Sequence, residues 1–215
     1  MALQYIVIGA DQFGCSVART LENSGCEVIV VDRDQEKIQD IADDVTMAYC
    51  ADATDLNTLH SIGIKDVDGV VVSIVREMET SIIVCMHCLD LGIQNVIAQA
   101  KNEMHEKILK KIGVPKIVVS EIEMGKRIGN YLTGKNFSDW INISPDFSMV
   151  EVPVLSSWVG NSLINLDLRK RYGLNVICVR QGNEMYTNFD PNLPLRKDMK
   201  LFIVGKNEDL QKVQE

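Results

Sequence analysis

The chain has 215 residues, of which 46% are hydrophobic and 24% charged; this composition, with 14 Gly and 5 Pro, excludes disordered and collagen-like proteins. The formal net charge of −8 argues against a nucleic-acid-binding protein, because binding a polyanion requires a basic surface. No segment approaches the ~20 apolar residues of a membrane-spanning helix and the N-terminus lacks a signal-peptide pattern, so we expect a cytoplasmic protein with reduced cysteines.

A unit made of a short β-branched run, a turn and an amphipathic segment repeats from residue 4 to about residue 132. The short runs predict buried parallel strands at residues 5–8, 28–31, 47–50, 70–72, 96–98 and 117–119. Helical periodicity alternates with them at residues 14–22, 35–42, 56–62, 80–91 and 103–112, and glycines mark most of the helix ends. This alternation predicts an α/β domain with a Rossmann-like, doubly wound parallel sheet.

The pattern changes near Gly134, and the remaining sequence predicts a smaller α+β domain. Strands are predicted at residues 148–154, 175–180 and 200–204, and short helices at residues 163–170 and 208–213. We therefore expect an N-terminal domain of residues 1–134 and a C-terminal domain of residues 135–215.

Residues 9–14 (GADQFG) follow the first strand and open the first helix, as the dinucleotide-binding fingerprint does. Gly9 would form the tight turn and Gly14 the close packing of helix on strand, so that the free N–H groups of the helix face a phosphate. Asp11 replaces the middle glycine, and its carboxylate must turn to solvent, recruit a cation or weaken phosphate binding. The alternative is that the two glycines serve only the turn and the packing.

Acidic residues end the second and third strands on the same rim. Asp32 is placed to accept the hydroxyls of a ribose and to repel the 2′-phosphate of NADP, although it could also be a helix cap. Asp52, Ala53 and Thr54 could meet an adenine or ribose, and the alternative is a helix-capping segment built around Asp55.

No group of residues has the pattern of a catalytic site. Residues 85–88 (CMHC) have metal-like spacing but lie in an apolar helix, which favours buried thiols. We therefore expect a protein that is not an enzyme. The alternatives are a small NAD-dependent oxidoreductase that uses Lys101 or Glu121 as its acid or base, and a Rossmann module kept only for assembly.

Residues 50–54 (CADAT), 59–63 (LHSIG) and 121–125 (EIEMG) together resemble the KtrA/TrkA family, the cytosolic regulatory subunits of bacterial potassium uptake systems. The resemblance covers nearly the whole chain and implies an RCK N-domain followed by an RCK C-terminal (TrkA-C) domain. It also implies homodimers that assemble into an octameric ring. That ring would gate a membrane K⁺ translocating subunit (KtrB/TrkH-like) from the inner face of the cell membrane.

The resemblance also implies a nucleotide site that binds ATP/ADP or NAD(H). Its residues would be Gly9, Asp11, Gln12, Phe13, Gly14, Asp32, Arg33, Asp52, Ala53, Thr54, Lys101 and Glu121. Glu121 matches a carboxylate that helps the family hold a cation, Mg²⁺ or Na⁺, near the phosphates. ATP-binding members have Gly and Arg where this chain has Asp11 and Gln12, which argues against tight ATP binding, and Asp52 is similar to NAD-binding members.

A second signature in the C-terminal domain is similar to the cyclic di-AMP-binding pattern of the family. It comprises Leu163, Ile164, Asp167, Arg169, Asn175 and Val176. Apolar side chains would pack against the adenines, Asn175 would bind a base edge and Arg169 a phosphate, across the two-fold axis of a dimer. The alternative is that Asp167 and Arg169 are solvated charges at a helix end.

Overall fold

The chain divides into two compact units, Met1–Ile122 and Glu123–Glu215. The computed structural model describes residues 2–133, 139–144 and 146–214. The predicted domain boundary between residues 134 and 135 lies outside the described residues and stays a prediction.

The first unit is a parallel sheet flanked by helices. Its strands are β1 (Gln4–Ile8), β2 (Glu27–Asp32), β3 (Met47–Cys50), β4 (Gly69–Val72), β5 (Val96–Gln99) and β6 (Lys116–Val118). Its helices are α1 (Gln12–Asn23), α2 (Gln35–Ile41), α3 (Leu56–Ser61), α4 (Met78–Asp90), α5 (Glu103–Ile112) and α6 (Ser120–Thr133), the last of which continues into the second unit. The strand order β3-β2-β1-β4-β5-β6 confirms the predicted Rossmann-like fold. The order reverses between β1 and β4, and ligands of such sheets bind beyond the carboxyl ends of the strands at this point.

The burial of the strands follows from their position in the sheet. All four residues of β4 are buried, because helices cover both faces of a central parallel strand. One apolar cluster includes Ile6 and Ile8 and a second includes Val7 and Val30, so the alternate side chains of the strands supply a core on each face. The edge strand β3 is largely exposed.

Capping residues and glycines define most of the helix ends. Asp34, Asp55 and Asn102 accept hydrogen bonds from backbone N–H groups of α2, α3 and α5. The predicted glycine terminations after α3 and α5 are confirmed, since Gly63 and Gly113 have φ of +74° and +95°.

The second unit is an antiparallel sheet with short helices. Its strands are β7 (Asp139–Asn142), β8 (Phe147–Pro153), β9 (Asn175–Gln181), β10 (Glu184–Tyr186) and β11 (Met199–Lys206), in the order β10-β9-β11-β8-β7. Its helices are α7 (Leu163–Leu166), α8 (Leu168–Tyr172) and α9 (Asn207–Gln211). Alternate residues of β11, such as Leu201 and Ile203, pack in the core. The buried carboxylate of Glu151 is paired with Arg180 and, at 3.3 Å, with Lys200.

The structure corrects the prediction of a single helix at residues 163–170. Asp167 has φ of +44°, a left-handed backbone that ends α7 and starts α8. Helix α6 and strands β7 and β10 were not predicted. Among the described residues, no helix combines the length and apolar character that crossing a membrane requires.

Candidate functional site

A cleft opens at the carboxyl ends of β1 to β4, where the strand order reverses. Six of the residues predicted to bind a nucleotide line it, namely Gly9, Asp11, Asp32, Arg33, Asp52 and Ala53. Other lining residues were not predicted, including Lys37, Ser73, Arg76, Glu77 and Thr80. The topology therefore brings together the loops that follow four different strands.

The two fingerprint glycines are required by close backbone contacts. A Cβ atom at Gly9, whose φ is +102°, would lie 2.2 Å from the carbonyl oxygen of Ser73. A Cβ atom at Gly14 would lie 2.0 Å from the carbonyl oxygen of Gly9. Both distances are far below van der Waals contact, so α1 can lie this close to β1 and β4 only if these residues are glycine.

Asp32 is fixed at the end of β2 by backbone donors. Its Oδ2 accepts a hydrogen bond from the N–H of Ala10 at 2.7 Å, and its Oδ1 accepts one from the N–H of Asp34 at 2.9 Å. The carboxylate is therefore held beside the fingerprint loop rather than capping α2, which Asp34 does. Its remaining lone pairs could accept the hydroxyls of a ribose.

Asp11 forms an ion pair with Lys37 of α2. Asp11 Oδ1 lies 2.6 Å from Lys37 Nζ, and Asp32 Oδ2 lies 3.6 Å from the same atom. Partial burial lowers the pKa of Lys37, but the hydrogen bond to Asp11 and the charge of Asp32 outweigh this effect, so its pKa is raised. The sequence predicted that Asp11 turns to solvent, recruits a cation or weakens phosphate binding. In the structure Asp11 recruits a cation, the ammonium group of Lys37.

The cleft carries more acidic than basic side chains. Arg33 is paired with Glu77, whereas no ion pair of Arg76 is found within the described residues. Arg76 is exposed, and it is near enough to Lys37 for its charge to oppose the rise in the pKa of Lys37, so both cations face the same space. The acids and bases that line the cleft are Asp11, Asp32, Asp34, Asp52 and Glu77, and Arg33, Lys37 and Arg76.

The third strand ends in a hydrogen-bonded turn. Asp52 Oδ1 accepts hydrogen bonds from the N–H of Thr54 at 2.9 Å and from its hydroxyl at 2.7 Å. These two hydrogen bonds lower the pKa of Asp52. Asp52 and Ala53 line the cleft, whereas Thr54 does not, and its two hydrogen bonds hold the carboxylate of Asp52.

The other residues predicted for this site lie outside the lining of the cleft. Gln12, Phe13 and Gly14 form the first turn of α1, and Lys101 follows β5. A chain of hydrogen bonds connects Ser73 of the cleft with the start of α6: Ser73 donates to Gln99 at 2.9 Å, and Gln99 donates to Ser120 at 2.7 Å. Ser120 in turn donates to Glu121 at 3.0 Å.

A second cavity lies in the C-terminal unit, and all six residues of the second signature line it: Leu163, Ile164, Asp167, Arg169, Asn175 and Val176. The left-handed Asp167 turns the chain between α7 and α8, so that Arg169 and Asn175 border the same apolar floor. Buried Leu168 and Leu174 complete this floor. We refer to this cavity as the α7–α8 cavity.

Comparisons with known proteins give the family of the chain. The TrkA-N domain family matches residues 5–120, and the TrkA-C domain family matches residues 147–215. The chain belongs to the TrkA family. Two relatives from Bacillus subtilis, Ktr system potassium uptake proteins C and A, are each 31% identical to it; the alignments cover 99% and 97% of this chain and 96% and 94% of the relatives.

A solved structure of another protein shares the fold. The GsuK channel bound to NAD superposes with a TM-score of 0.68 and 17% identity, over 98% of this chain and 38% of that one. The expectation of a TrkA-family chain with a Rossmann-like first domain and a smaller second domain is confirmed.

Sequence reasoning did not identify Lys37, although one signal was available. Lys37 is in the first turn of α2, where the helix dipole disfavours a cation and acidic residues are usual. A lysine at such a position indicates a partner from elsewhere in the fold. Here the partners are Asp11 and Asp32.

Proposed function

We propose that this chain is the regulatory subunit of a potassium uptake system, without catalytic activity of its own. The observation that carries the proposal is the match over nearly the full length to two Ktr system potassium uptake proteins. Two separate cavities, one in each unit, support a role in sensing small molecules. A bound ligand changes gating only if it binds one shape of the assembly more tightly than another.

The cleft of the first unit is proposed to bind an adenine nucleotide, with NAD(H) and ADP favoured over ATP. Asp32 would accept the ribose hydroxyls, and the loop of Gly9 and Asp11 that leads into α1 and the side chain of Arg76 would face the phosphates. The excess of acids disfavours each added phosphate charge: two like charges ~4 Å apart repel by ~4 kcal/mol at an effective dielectric of ~20. Asp32 also disfavours NADP, whose 2′-phosphate would meet its carboxylate.

A cation at Glu121 remains a prediction that the described residues do not support by themselves. No group of three or more His, Cys, Asp or Glu side chains in the described part of the chain could hold a metal ion. Mg²⁺ requires about six oxygen ligands, and Glu121 supplies one carboxylate that already accepts a hydrogen bond from Ser120. The ligand set is incomplete, so we assign no role to Mg²⁺ or Na⁺.

The α7–α8 cavity is proposed to bind cyclic di-AMP at the two-fold axis of a homodimer. Leu163, Ile164 and Val176 offer apolar contacts for adenine, Asn175 a hydrogen-bonding amide, and Arg169 a guanidinium for phosphate. Ile164 is 55% exposed, which suits a side chain that is covered when a ligand or a second copy binds. A symmetric ligand would use the same patch twice.

The assembly and its location follow from the family by analogy. We propose homodimers that form an octameric ring in the cytoplasm. The ring would be peripheral on the inner face of the cell membrane, through a KtrB/TrkH-like K⁺ translocating subunit. The nucleotide and cyclic di-AMP would then control K⁺ flux through the shape of the ring.

Two arginines of α8 provide a matched test. Arg169 lines the α7–α8 cavity, whereas Arg171, two residues further along, is also exposed but lines a different depression. Cyclic di-AMP should raise the melting temperature of the full chain and of Arg171→Ala, but not that of Arg169→Ala. In proteoliposomes that contain the membrane subunit, the ligand should change K⁺ flux with the same dependence. Equal responses of the two variants, or no response of the unmodified chain, would contradict the proposal.

A further inference from the structure

Asp11 is the N-cap residue of α1 but, within the described chain, its side chain makes no capping hydrogen bond. Its backbone is extended, with φ of −75° and ψ of 171°, as N-cap residues require. Four other N-cap residues of this protein, Asp34, Asp55, Asn102 and Ser162, all accept a hydrogen bond from their own helix. Asp11 has the residue type and the backbone of a cap without the function of one.

Lys37 explains the difference. Its ammonium group pairs with Asp11 Oδ1 at 2.6 Å, and within the described residues the side chain of Asp11 makes no hydrogen bond to its own helix. The second neighbour of the ammonium group, Asp32, is fixed by two backbone N–H groups. The first intrahelical bond of α1 is donated by Cys15 to the carbonyl oxygen of Asp11. The N–H groups of Phe13 and Gly14 come before Cys15 and have no acceptor within the helix. They are the groups that donate to an N-cap side chain when one caps the helix.

We propose that Lys37 is a positioning residue that keeps the N-terminus of α1 open for the phosphates of the nucleotide by holding back the side chain of Asp11. Without Lys37, Asp11 is repelled by Asp32 and rotates onto the N–H groups of Phe13 or Gly14. The carboxylate then occupies the place of the phosphate and closes the site from within. The inference rests on the proposed nucleotide function, because the phosphate site is part of that function.

Two simpler accounts make different predictions. If Asp11 acts only by its charge, Asp11→Asn should improve nucleotide binding as much as Asp11→Gly does. If Lys37 binds the phosphate directly, Lys37→Met should weaken binding by the same factor whatever residue is at position 11. In the positioning account, Asn still caps the helix and competes with phosphate, whereas Gly has no side chain that could do so.

The binding test is a double-mutant cycle on the full chain, with ADP and NAD as probes in titration calorimetry. Lys37→Met should weaken binding about fivefold, because the phosphate must then displace an N-cap hydrogen bond worth about 1 kcal/mol. Lys37→Arg, which can still pair with Asp11, should restore the affinity. Lys37→Met should change nothing in the Asp11→Gly background. Asp11→Asn should bind more weakly than Asp11→Gly. An equal loss in both backgrounds, or no loss in either, would overturn the proposal.

Amide hydrogen exchange separates this inference from the proposed function. In the ligand-free chain, the amides of Phe13 and Gly14 should exchange more slowly in Lys37→Met than in the unmodified protein, because Asp11 now accepts a hydrogen bond from one of them. If this slowing is seen but no variant binds ADP or NAD, the positioning role holds and the proposed nucleotide function fails. If exchange is unchanged, the positioning role fails, even when the unmodified protein binds both nucleotides.

Discussion

The substitution Gly14→Ala tests whether the first unit depends on the contact between α1 and the fingerprint loop. Helix propensity alone predicts a stabilisation of about 1 kcal/mol, because Ala replaces Gly inside α1. The structure predicts the opposite sign. The added Cβ atom would lie 2.0 Å from the carbonyl oxygen of Gly9 and 3.2 Å from Ser73 Cβ, and the first of these is backbone that cannot rotate away.

Overpacking of this kind costs typically 1–3 kcal/mol, and a backbone contact belongs at the upper limit, about 3 kcal/mol. Subtracting the propensity gain of about 1 kcal/mol leaves a net loss of about 2 kcal/mol in the free energy of unfolding. Ser16→Ala, on an exposed position of the same helix, is the control and should change stability by at most about 0.5 kcal/mol. Urea unfolding followed by circular dichroism measures both. A Gly14→Ala chain as stable as the control would refute the close packing of α1 on the loop.

Three further predictions concern buried ionisable groups. Glu151→Gln should destabilise the second unit by about 2 kcal/mol, because Arg180 and Lys200 lose their buried anionic partner. The control Glu208→Gln, at an exposed position, should leave the free energy of unfolding in urea unchanged. Burial and the nearby charge of a lysine lower the pKa of His105, so the unfolded chain takes up the proton first and stability should fall as the pH decreases through about 6.5. The slope is at most about 1.4 kcal/mol per pH unit, and a His105→Gln chain with the same pH dependence would contradict this assignment. Burial raises the pKa of Cys88 to about 12, so iodoacetamide should modify the exposed Cys50 long before Cys88, as peptide mass spectrometry would show; equal rates would be inconsistent with the structure.

The architecture of the first unit could be predicted because its signals are local. Short β-branched runs, capping aspartates and left-handed glycines each act within a few residues, and they agree with one another. Helix α6 was missed because Gly125 and Gly129 interrupt its apolar pattern. Strand β10 was missed because it has only three residues, all exposed, and therefore no buried face to give a pattern.

The sequence could place a residue in the cleft only where the end of a single strand determines the position of that residue. Gly9, Asp32 and Asp52 each lie at the carboxyl end of a strand or within two residues of it, so the topology alone places them on one rim. The pairing of Asp11 with Lys37 joins the starts of two helices through space. The sequence marks Lys37 as an unusual cation in the first turn of a helix, but it does not say which residue pairs with it. The break at Asp167 was also unpredictable, because a left-handed aspartate inside an apparently helical segment depends on how the flanking leucines are buried.

The most direct test of the account is the stoichiometry of cyclic di-AMP binding to the full chain in titration calorimetry. The account predicts one ligand for every two chains, because each protomer of a dimer contributes one copy of the α7–α8 cavity to a shared site. One ligand per chain, or no heat even at a large molar excess of ligand over chain, would contradict it.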